Sequence, residues 1–127
     1  MSMPVPAKSC SSMVEVRATI MANGAAVLAN LDSLSQAESG TNRKMGEVMG
    51  RLVAMRDDLI AARRLGVPCA EQLQRMNSIF SSIFGMEFPS EALQWQRVCD
   101  TREALRSLIR EAELEQLKSP PAHAASR

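Results

Sequence analysis

The residues that could carry chemistry in this 127-residue chain are few and scattered. The one histidine, His123, lies in the final run Ser119–Arg127 beside Pro120 and Pro121, away from any nucleophile it could activate. General-base catalysis needs the base within hydrogen-bond reach of the group it deprotonates. The three cysteines, Cys10, Cys69 and Cys99, are odd in number, widely spaced and free of any Cys-x-x-Cys pair. That pattern predicts neither a disulfide framework nor a zinc site, and free thiols suit a reducing compartment. Carboxylates do cluster, as Asp57-Asp58 and as Glu111, Glu113 and Glu115. Glu111 and Glu115 are one helical turn apart and could share a proton or a cation, but no third ligand accompanies them, so they read as solvated surface. Gly46-x-x-x-Gly50 has no preceding strand and no Gly-Lys-Ser/Thr, so it is not a phosphate loop. The expectation is a protein without catalytic residues, cofactor or metal.

What remains is apolar and helical. All four aromatic residues fall between Phe80 and Trp95, in the stretch that also holds Phe84, Met86 and Phe88. Aromatic rings bring the largest apolar area per residue. They are therefore read either as core around a helix–helix corner or as an exposed anchor patch of Phe84, Met86, Phe88 and Trp95. The nine methionines admit the same two readings. Most fill core, but Met45 and Met49, on the same segment as the Gly46 and Gly50 pair, are adaptable docking residues in the second reading.

The elements that must position these residues follow from spacing. Residues 1–11, with Pro4 and Pro6, read as a flexible arm, residues 12–118 as one helical bundle domain, and residues 119–127 as a disordered tail. The first helix is predicted over about 12–38. Met13, Ile20, Val27 and Leu34 repeat every seven residues, with Val14, Met21 and Leu28 one position on. A competing α+β reading places a β-hairpin at 13–31, because Val14, Val16, Ala18 and Ile20 alternate with polar residues and Asn23-Gly24 is a favoured hairpin turn. In the helical reading Asn23-Gly24 is a potential break. The second helix is predicted from Thr41 or Asn42 to about Leu65. Its Met45, Val48, Leu52, Met55 and Leu59 follow 3-4-3-4 spacing, and Gly66 and Pro68 stop it. Gly46, Gly50 and Ala54 form a row of small residues beside that seam, suited to close approach of another helix. The third, shorter helix runs from about Cys69 to Phe84 on Leu73, Met76, Phe80 and Ile83. The fourth opens after Pro89 with Ser90 as cap and reaches about Leu117 on Leu93, Trp95, Val98, Leu105, Leu108, Ile109 and Ala112. The predicted fold is all-α, an antiparallel bundle of three long helices and one shorter one.

Charge nearly cancels, at +1. Residues 42–65 carry six basic against three acidic side chains, and residues 90–116 four basic against six acidic. The expectation is that these two helix faces attract each other across the bundle. Nucleic-acid binding through Arg43, Lys44, Arg51, Arg56, Arg63 and Arg64 is disfavoured, because the basic pairs diverge around the helix and no aromatic interleaves with them. The longest uncharged run, Ala18 to Leu31, is too short and too polar for a bilayer span. These features suggest an intracellular, cytoplasmic protein. The function expected is a non-enzymatic helical interaction module, as a subunit or adaptor or as a homo-oligomer. A small helical chaperone or inhibitor that sequesters a partner's amphipathic helix is the alternative, with weak nucleic-acid binding a third reading.

Overall fold

The computed structural model describes residues 11–34, 41–84 and 92–118. They form α1 (Met13–Asp32), α2 (Thr41–Arg64), α3 (Ala70–Ile83) and α4 (Ala92–Lys118), and no strand occurs among the described residues. The arm at 1–10, the tail at 119–127, Gly40, Ser90, Met86 and Phe88 lie outside them.

The helices form a closed ring: α1 packs on α2 and α4, and α3 packs on α2 and α4. Among the described residues the backbones of the diagonal pairs α1–α3 and α2–α4 make no close approach. α4 runs antiparallel to both α1 and α3, as the end-to-end contacts show. Gln116 near the end of α4 donates to the Val14 carbonyl at the start of α1, while Arg106 in α4 pairs with Asp32 at the end of α1. Ser82 late in α3 shares a 2.9 Å hydrogen bond with Thr101 early in α4, and Arg75 early in α3 reaches Glu111 late in α4. The predicted attraction between the basic and acidic faces is therefore wrong. It joins α2 to α4, which stand at opposite corners.

Local chemistry sets the helix ends. Ser12 caps α1 by accepting from the Glu15 amide, and the Glu15 carboxylate reaches back to the Ser11 amide at 2.7 Å, a capping box shifted by one residue. After α2 the chain turns at Gly66, whose φ of 94° is a conformation that L side chains rarely adopt. The Gly66 amide bonds to Arg63 O and the Val67 amide to Ala62 O, which also accepts from the Leu65 amide, so carbonyls of the last turn are satisfied and Val67 folds into the core.

The core is built from one buried row per helix. α2 contributes Met45, Val48, Leu52, Met55, Leu59 and Ala62, the predicted seam extended by one residue. α3 contributes Leu73, Met76, Ile79 and Ile83, and α4 Val98, Leu105, Leu108 and Ala112. In α1 the row is Val16, Ile20, Val27 and Leu31. The predicted companions Val14, Met21 and Leu28 lie to its side, with Val14 46% exposed. α1 ends at Asp32, six residues short of the predicted end, and Ser33 caps it through bonds back to Asn30 and Leu31.

The hairpin at 13–31 is overturned, and Asn23-Gly24 does not even break the helix. Asn23 donates to the Thr19 carbonyl one turn back. Gly24 is buried against α4, where a Cβ would stand 2.9 Å from two carbons of Ile109. The glycine that permits close helix approach within this chain is thus Gly24, at the α1–α4 seam. The alternation that suggested a strand mixes the buried Val16 and Ile20, one helical turn apart, with the exposed Val14 and Ala18.

Candidate functional site

The predicted site residues separate into three groups. Met45 is core, 3% exposed, and cannot meet a partner without unfolding α2; its assignment to a docking surface is a correction. Trp95 is half-buried and packs on the core. Gly46, Gly50, Met49 and Phe84 stand on or beside one outer face, formed by α2 and α3. Among the described residues, a Cβ added at Gly46 or Gly50 would meet nothing within 4 Å, so none of the other three helices packs on the small-residue row.

That face is assembled from two seams. On α2, Met49, Val53, Arg56, Ile60 and Arg63 succeed one another at four- and three-residue intervals, beside the buried row. On α3, Leu73, Asn77, Phe80 and Phe84 do the same. Two observations bring the seams together. The Arg56 guanidinium lies over the Phe80 ring, 5.1 Å from its centre. Farther along, Ile60, Arg63, Arg64 and Leu73 line one open cleft of about 400 Å³. Phe80 stacks at 5.4 Å on Phe84, which is 69% exposed. Met49, Ile60 and Phe80 are only partly buried where they lean on the core. The α2 seam from Met49 to Arg63 spans roughly 21 Å, about four turns of helix.

Its polar groups are mostly arginine. Arg56 pairs with its neighbour Asp57 at 3.7 Å, and its Nε is buried without a hydrogen-bond partner. Arg63 and Arg64 are exposed and have no ion-pair partner among the described residues. Arg43, Arg51, Arg97 and Arg110 are likewise exposed and without an ion pair among the described residues, while the remaining ion pairs lie away from this face. Arg75 meets Glu111, Arg102 and Arg106 meet Asp32, and Lys118 meets Glu115. Asp58, on α2, has its carboxyl pushed above the usual aspartate range by partial burial and by the adjacent Asp57 charge. The basic residues do not form one field, since Lys44 is turned to the α1 side, where it holds the Ser33 carbonyl.

A second groove, of about 300 Å³, runs between α3 and α4 over Ser78, Ser82, Thr101, Ala104 and Ser107, with Arg75 and Asp100 among its walls. Its polar atoms are largely spoken for. Ser82 also bonds to the Ile79 carbonyl, and Arg75 reaches Ser107 as well as Glu111. Thr101 is buried in the α4 core row, a position that sequence spacing marks only as a gap between Val98 and Leu105. Sequence reasoning also missed that Leu93 would be 80% exposed rather than core. Cys69 is wholly buried, its thiol directed at the Leu59 carbonyl at 3.4 Å. Among the described residues no three metal-ligating side chains gather, and no helix is long and apolar enough to cross a membrane.

Comparison of the chain with protein-family models, curated proteins and solved structures returns no match.

Proposed function

We propose that the chain is a non-enzymatic helical interaction module that receives a helix of a partner protein on its α2–α3 face. The observation that supports the reading most is the second, half-buried seam on α2, Met49-Val53-Arg56-Ile60-Arg63, opposite Leu73-Asn77-Phe80-Phe84. The row lies where α2 meets α3 and is left half open there, a geometry suited to helix-in-groove recognition. Gly46 and Gly50 extend the face with surface on which a partner backbone can approach closely. Phe84 supplies an exposed aromatic anchor, the residue class that dominates interface energetics. A chaperone or inhibitor that sequesters an amphipathic helix would use the same groove. Whether the occupant comes from another protein or from a second copy is decided by the test.

The test is affinity capture with variants that change only this face. Phe84→Glu places charge on an exposed position and should leave the melting temperature nearly unchanged, while Met49→Glu, at a residue that leans on the core, is used once its melting curve confirms that it is folded. Both should release the same captured protein, while a control on the far side, Glu103→Lys, should retain it. Capture that survives both face variants would end the proposal for this face.

A further inference from the structure

The groove's charge specifies its occupant further, on the premise that the α2–α3 face docks a helix. We infer that the partner helix is acidic: an apolar ridge flanked by carboxylates, with one carboxylate seated at the Arg63/Arg64 end. The cleft at that end has an apolar floor, Ile60 and Leu73, and only cations in its lining. The α3–α4 groove, by contrast, sets Arg75 against Asp100, and the cleft beside Arg17 holds Glu111 and Glu115. The C-terminal half-charge of α2, roughly −0.5, offsets only part of the two guanidinium charges. Midway along, Arg56 is already stacked and paired with Asp57, so the unmatched charge is concentrated at one end. That asymmetry gives a docked helix a preferred direction as well as a sign. Arginine favours such a role, since its planar fork donates two parallel N–H bonds to a carboxylate.

The probes are three synthetic peptides of about 18 residues, roughly 27 Å as helix. They share one leucine ridge and carry Glu, Gln or Lys at the flanking positions. Binding to the full chain is followed by fluorescence anisotropy at low and high salt. The Glu peptide should bind at least about tenfold more tightly than the Lys peptide, with the Gln peptide between them and the gap narrowing as salt rises. In the Arg63→Gln/Arg64→Gln variant, confirmed folded by its melting curve, the preference should shrink to near parity while apolar binding persists. Equal affinity for the Glu and Lys peptides would overturn the acidic-partner inference and leave the docking reading standing. Binding of no peptide would overturn both. Retention of the Glu preference in the double variant overturns the assignment to Arg63 and Arg64. Self-association that blocks the peptides, or tighter binding to vesicles of anionic lipid than to any peptide, also overturns it.

Discussion

Two glycine sites in this bundle invite comparison. Gly24 and the Gly46/Gly50 pair both sit inside long helices, where glycine costs about 1 kcal/mol relative to alanine. At Gly24 the reason is visible: Ile109 of α4 occupies the space a Cβ would take. At Gly46 and Gly50 that space is empty. One seam is closed by another helix of the chain, and among the described residues nothing covers the other. The lesson is that a small-residue row on a helix marks where close approach is possible, and only the fold reveals whether the chain has used it.

The comparison can be broken most forcefully through the two kinds of apolar residue. Leu52→Ala, in the closed core, should destabilise by about 2–5 kcal/mol, whereas Phe84→Ala on the open face should cost no more than about 0.5 kcal/mol in denaturant unfolding. Similar losses at both would mean the α2–α3 face is packed after all. Next in size is the glycine contrast itself. Gly24→Ala should lower stability by about 1–2 kcal/mol, the strain against Ile109 exceeding the helix-propensity gain. Gly46→Ala and Gly50→Ala should each raise it by about 0.5–1 kcal/mol. A stabilising Gly24→Ala would remove the close-approach explanation for α1 and α4. Smaller again, Ser82→Ala should cost about 1 kcal/mol, because it takes a hydrogen-bond partner from the buried Thr101 hydroxyl. Thermal melts of that variant and of Ser78→Ala, at a solvent-exposed serine of the same groove, separate the buried contact from general groove effects.

The smallest effect is pH-dependent. Burial and Asp57 raise the Asp58 pKa in the folded state above its ordinary 3.8, so the folded chain favours the protonated form. The stability linked to that proton is fully present below the ordinary value and lost as pH rises through the folded-state value. Asp58→Asn should therefore melt slightly higher than the parent at neutral pH, with the difference vanishing on acidification. A difference that stays constant across the titration would exclude this cause.

How legible each region was in the sequence follows the same division. Five of the six residues of the α2 core row were readable from their 3-4-3-4 spacing, Ala62 being the addition, and Gly66 follows the helix in a conformation suited to glycine. The α1 row was harder. The seven-residue repeat marked Ile20, Val27 and Leu34, all buried, but Gly24 carries no apolar signal, and the stripe at Val14, Met21 and Leu28 was marked beside them while Leu31 was not. Thr101 hid for the same reason, being a polar residue whose burial depends on Ser82 from another helix. The open face was only half readable. Met49, Gly46, Gly50 and Phe84 could be marked as unusual, yet Ile60, Arg63, Arg64 and Leu73 join them only when α3 folds back along α2. The pairing of helices around the ring, which keeps α2 from α4, depends on connection geometry that periodicity does not encode.

The claim that the α2–α3 face is left open to receive a helix is tested most directly by mapping backbone amide resonances during titration with the Glu-flanked peptide. The account predicts shifts concentrated at Gly46, Met49, Gly50, Val53, Ile60, Arg63, Asn77 and Phe84, with Gly24 and Ile109 undisturbed. Shifts gathered instead on Ser78, Ala104 and Ser107 of the α3–α4 groove, or none at saturating peptide, would contradict it.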